Sequence, residues 1–78
     1  MRVLLVEDSR VFARMVQRVL SGRLELTVDT ATSLAETREL LAQNSYDAAV
    51  VDLVLPDAPS GQAVDVVIEH GIPTVACT

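Results

Sequence analysis

The apolar residues of this chain change their spacing again and again, and that alternation restricts the fold more than any other feature. Arg2 to Val6 is an almost continuous apolar run, which reads as a buried strand. "EDS" ends it and offers a helix cap at Asp8 or Ser9. From Arg10 to Leu20, apolar Phe12, Met15, Val16, Val19 and Leu20 recur at helical spacing, and Gly22 is the stop. Leu24, Leu26 and Val28 alternate with Glu25, Thr27 and Asp29, which predicts a half-buried strand towards a sheet edge. Ser33 and Glu36 match a capping box and open a helix to about Gln43. "NSYD" is a turn, Ala48 to Leu53 a second buried strand, and "LPDAPSG" a loop. Gly61 to His70 predicts a helix with Ala63, Val64, Val67 and Ile68 inward. Gly71 and Pro73 end it before a short strand from Thr74 to Cys77.

The order β-α-β-α-β-α-β places the chain in the α/β class, as a doubly wound parallel sheet covered on both faces. Seventy-eight residues admit one small domain and no second one. Because an α/β unit that stops on a bare strand is unfinished, residues 1–78 are expected to form an incomplete domain.

Half of the residues are apolar, which supports a real core, and because Phe12 and Tyr46 are the only aromatics that core is aliphatic. The net charge of −5 argues against direct nucleic-acid binding, although Arg10, Arg14 and Arg18 form a local stripe. Cys77 is the only cysteine, which fits a reducing, cytoplasmic setting and reads as core. No apolar run approaches the ~20 residues of a membrane span. "MRVLLVEDS" meets Glu7 and Asp8 too early to be a secretory signal.

The acids carry the chemistry. Ligands of doubly wound sheets bind beyond the carboxyl ends of the strands, where the strand order reverses. One strand delivers Glu7 and Asp8 there and another delivers Asp52, with Asp57 in the following loop. Taken alone, Glu7 and Asp8 read as loop acids and a helix cap, and Asp57 between two prolines reads as a turn residue. Asp52 is different, because strands disfavour Asp. Two carboxylates about 5 Å apart repel by ~3 kcal/mol at an effective dielectric near 20. Three of them call for a hard cation such as Mg²⁺, which suits phosphoryl chemistry on a nucleophilic carboxylate.

"VLLVEDSR", "YDAAVVDLVLPDAPSG" and "IPTVACT" together resemble the receiver domain of two-component response regulators. The resemblance runs through essentially the whole chain and implies a flavodoxin-like sheet in the order 2-1-3-4, with the fifth strand missing. It implies that Asp52 accepts a phosphoryl group from a histidine kinase or phosphotransfer protein, and that the parent protein acts through an output domain or downstream effector. It makes Glu7, Asp8, Asp52 and the backbone carbonyl of Val54 ligands of Mg²⁺, Thr78 the switch hydroxyl, and Gly61 a structural entry to the third helix. Such a domain is a phospho-acceptor that can lose its phosphoryl group when complete, and is not a conventional enzyme.

The departures are equally definite. The family continues through a further helix, strand and helix, and that strand ends in a Lys near the phosphoryl oxygens. All six basic residues here are Arg, so the chain is expected to be impaired as a switch. Without a fifth strand, "PTVAC" is an exposed apolar edge that invites self-association. The alternative is a receiver-like interaction or dimerisation module that works without phosphorylation. A phosphohydrolase or nucleotide-binding domain is disfavoured. Neither glycine-rich phosphate motif occurs, and Val54 stands where a second acid would be needed.

Overall fold

The computed structural model describes residues 1–22 and 25–77. Its elements are β1 (Arg2–Val6), α1 (Arg10–Ser21), β2 (Thr27–Ala31), α2 (Leu34–Gln43), β3 (Ala48–Asp52), α3 (Gln62–Glu69) and β4 (Thr74–Cys77). The strands make one parallel sheet in the order β2-β1-β3-β4. The step from β1 to β2 crosses the sheet one way, and the next two steps cross it the other way. With right-handed crossovers, that reversal sends α1 to one face and α2 and α3 to the opposite one. Helix α1 packs on β1 and β2, while α2 and α3 touch each other and pack on β2, β3 and β4. This is the flavodoxin-like α/β/α arrangement the sequence predicts.

The principal core lies under α2 and α3. Leu4 and Val6 of β1, Ala31 of β2 and Ala49 and Val51 of β3 meet Leu41, Ala63, Val66 and Val67 there. Strand alternation turns Val3 and Leu5 towards α1, so the central strand β1 is buried on both faces. Its continuous apolar run follows from that position.

Three expectations need correction. The second strand starts at Thr27 rather than Leu24, because its register with β1 pairs Arg2 with Thr27 and Val6 with Ala31. Leu24 itself lies outside the described residues. On α1 the buried residue is Ala13, with Val16 and Leu20 half-buried, while Phe12, Met15 and Val19 are exposed. That helix has no helical neighbour on its face among the described residues, so only the stripe resting on the sheet is covered. The inner face of α3 is Ala63, Val66 and Val67, and Ile68 points to solvent. The segment "LPDAPSG" is a loop as expected, with Leu55 and Ala58 fully buried and paired with each other.

The caps show why the helices begin where they do. Ser9 accepts from the Phe12 N–H at the start of α1, and Ser33 accepts from the Glu36 N–H at the start of α2. The Glu36 carboxylate accepts from the Thr32 hydroxyl. Helix α3 has no side-chain cap; Gly61 turns into it with φ of 80°, a left-handed conformation that favours glycine. His70, expected to face solvent at the end of α3, is exposed, and its Nδ1 lies 2.9 Å from the Val66 carbonyl.

Candidate functional site

Parallel neighbours that end together bring their carboxyl-end residues side by side. Val6 of β1 pairs with Val51 of β3, so the next residues, Glu7 and Asp52, are adjacent across the sheet. The Glu7 N–H donates to the Ala31 carbonyl at 2.9 Å, which ties the end of β1 to the end of β2. Carboxylate oxygens of Glu7, Asp8 and Asp52 come within 4.8 Å of one another. Glu7 and Asp52 are each only 8% exposed, whereas Asp8 is open to solvent.

Like charges this close must be answered by protons, donors or a cation. Burial, and then the neighbouring Asp8 and Asp52 carboxylates, raise the pKa of Glu7 against the opposing pull of its Ser9 N–H bond. That bond is 3.1 Å long. Asp52 is held differently, since its Oδ1 accepts from the Val54 N–H at 2.9 Å. The set offers only hard oxygen donors, from two strand ends, around a shared space. Those features fit a small divalent cation that retains waters, as Mg²⁺ does.

Glu7, Ser9, Phe12, Asp52 and Cys77 line an open hollow of about 270 Å³. The expected acceptor and one of the expected acidic ligands therefore share one cavity wall. Val54 is 57% exposed in the loop beyond Asp52. Thr78 lies outside the described residues.

Phe12, which the sequence reading placed among the apolar residues of the first helix, and Cys77, which it assigned to the core, both line the site. The register Asp52 to Cys77 is the signal for the second of them, once β4 is known to lie beside β3. Cys77 donates weakly to the Val51 carbonyl, at 3.7 Å. Burial foremost, then Asp52 and Glu7, push its pKa up, so it stays a thiol at neutral pH.

Asp57 holds a larger role than the expected turn residue. Its Oδ1 accepts from the Leu34 N–H at 2.8 Å, and its Oδ2 from the Ala35 N–H at 3.1 Å. The carboxylate thus occupies the first two amides of α2 from more than twenty residues downstream. Those bonds lower its pKa.

Comparison with known proteins follows the same line. The family model for the response regulator receiver domain matches residues 3–76. A solved two-component system response regulator/GGDEF domain protein is 40% identical, with a TM-score of 0.87; the match covers 99% of this chain and 31% of that one. The non-phosphorylated HemR receiver domain from Leptospira biflexa is 26% identical, with a TM-score of 0.83, covering 96% of this chain and 61% of that one. The BeF3-activated conformation of SdrG from Pseudomonas melonis Fr1 is also 26% identical, with a TM-score of 0.78, covering 96% and 64%. The chain thus spans less than two thirds of each of these solved chains. No curated protein sequence matches it.

Proposed function

The chain belongs to the response regulator receiver domain family, and on that basis we propose that it accepts a phosphoryl group on Asp52 in two-component signalling. The observation that carries this reading is the convergence of Glu7, Asp8 and Asp52 at the carboxyl end of the sheet. SdrG, a neighbour with a BeF3-activated conformation, supports it as a relative of the same fold.

The carboxylate of Asp52 is the nucleophile. The Val54 N–H fixes its Oδ1, so the carboxylate is oriented towards the hollow it lines with Glu7. A carboxylate oxygen of Asp52 bonds to phosphorus as the phosphorus–nitrogen bond of a phosphohistidine donor breaks, leaving the electron pair on the imidazole. Mg²⁺ held by Glu7, Asp8, Asp52 and the Val54 carbonyl would offset the charge of the carboxylates and of the phosphoryl oxygens. Thr78, which directly follows β4, is the proposed switch hydroxyl.

The donor is proposed to be a histidine kinase or phosphotransfer protein. Exposed Phe12 lines the hollow, and with exposed Val11 and Met15 on the first turns of α1 it offers an apolar surface to a protein donor. A cytoplasmic location accords with that partner; no described helix is long and apolar enough to cross a membrane. The output, whether an attached domain such as the GGDEF domain of one neighbour or a separate effector, acts downstream of Asp52.

Incubation with acetyl phosphate and Mg²⁺, followed by intact-protein mass spectrometry, tests the reading. The expected result is one added phosphoryl group, absent from Asp52→Asn and lost on treatment with hydroxylamine. An unmodified wild-type chain would overturn it.

Val75, 64% exposed on β4 at the edge of the sheet among the described residues, favours a second reading in which copies of the chain associate there without phosphorylation.

A further inference from the structure

We infer that Asp57 is a positioning residue for the metal subsite, holding the loop that carries Val54 by anchoring it to the first turn of α2. The inference rests on the metal-binding reading above and extends it to a residue outside the acidic cluster.

The loop from Leu53 to Gly61 is pinned at three places. At its start, the Leu53 N–H donates to the Cys77 carbonyl and the Val54 N–H to Asp52. At its end, the Gly61 N–H returns to the Leu53 carbonyl at 2.9 Å. Between them, Leu55 and Ala58 exchange hydrogen bonds and are buried, so the segment is a closed excursion whose tip is Pro56 and Asp57. Both oxygens of Asp57 then grip α2. Val54 therefore lies between two anchors, Asp52 behind it and the Leu55–Ala58 bridge with its Asp57 grip ahead.

A backbone carbonyl has no rotamers of its own. Its direction is set by the loop, so a metal that uses it depends on whatever fixes that loop. The coupling also runs backwards: if the Asp57 grip favours metal binding, metal binding favours the grip by the same factor. Occupancy of the acidic site should therefore be felt at the amides of Leu34 and Ala35, on an element that contributes none of the ligands.

The test is an NMR titration of the full chain with MgCl2, following the amides of Val54, Leu34 and Ala35. Three variants accompany the wild type. Asp57→Ala removes the grip, Asp57→Asn keeps one acceptor oxygen, and Ser33→Ala removes a different cap of the same helix without touching the loop. The expected outcome is a saturating wild-type response at all three amides. Mg²⁺ should bind Asp57→Ala roughly tenfold more weakly, with the Leu34 and Ala35 response lost. Binding should be intermediate in Asp57→Asn and unchanged in Ser33→Ala. Equal affinity in the wild type and Asp57→Ala would overturn the inference while leaving the metal site standing. Equal weakening in Ser33→Ala would also overturn it, by showing that only the stability of α2 matters. A wild-type chain that binds no Mg²⁺ would remove the metal site and this inference together.

Discussion

At the scale of single residues, polar side chains are placed by what neutralises them. Tyr46 is the clearest instance: its ring is buried, and its hydroxyl donates to Asp29, which also binds the Arg2 guanidinium at 2.8 Å. Burial and the Asp29 carboxylate push the pKa of Tyr46 up to about 12. Its raised value means that the unfolded chain loses the phenolic proton first, from the ordinary value of about 10. This contribution to stability is complete below that pH and is lost as the pH rises towards 12. Because Tyr46 is the only tyrosine, phenolate absorbance reports it without ambiguity. The expected midpoint is near 12 in the folded chain and near 10 in urea. A folded-state midpoint near 10 would contradict the buried arrangement. The convergence of Glu7, Asp8 and Asp52 was legible in the sequence because strand ends and carboxylates are both local signals. The partnerships of Asp29 and Asp57 were not, since each pairs residues that only the folded sheet brings together.

Elements were read well where their own sequence sets their limits. Strands β1 and β4 and helix α2 came out as expected, because apolar runs, a Ser cap and turn residues bound them. Strand β2 was misplaced because its alternation, from Leu24 to Asp29, is weaker evidence than its pairing with β1. The outer stripe of α1 misled for a different reason: helical spacing shows that a face is apolar but not whether anything covers it. Entry to α3 depends on one backbone conformation. An alanine at Gly61 would meet Leu53 Cδ2 at an ordinary 3.5 Å, so the cost of substitution is the left-handed φ rather than a clash. Gly61→Ala should lower stability by about 1–2 kcal/mol, read as a shift of the urea midpoint at unchanged slope. No shift would mean that the loop has another way into α3.

For the whole molecule, the reversal of strand order at β1 and β3 accounts for both the position of the acids and the asymmetry of the surface. One face of the sheet carries two helices and the main core, while the other carries α1 with exposed Phe12, Met15 and Val19. Among the described residues, β2 forms one edge of the sheet and β4 the other. Self-association along the β4 edge predicts an apparent mass by light scattering that rises with concentration. Val75→Lys should suppress the rise, because a charged edge resists pairing. A wild-type chain that stays a folded monomer at high concentration would exclude it. The grip of Asp57 on α2 has a consequence for synthesis as well as for binding. Translation completes α2 before it reaches Asp57, so the first two amides of the helix must wait for a partner made later. Helix α2 is thus finished by a residue that arrives only with the loop beyond Asp52.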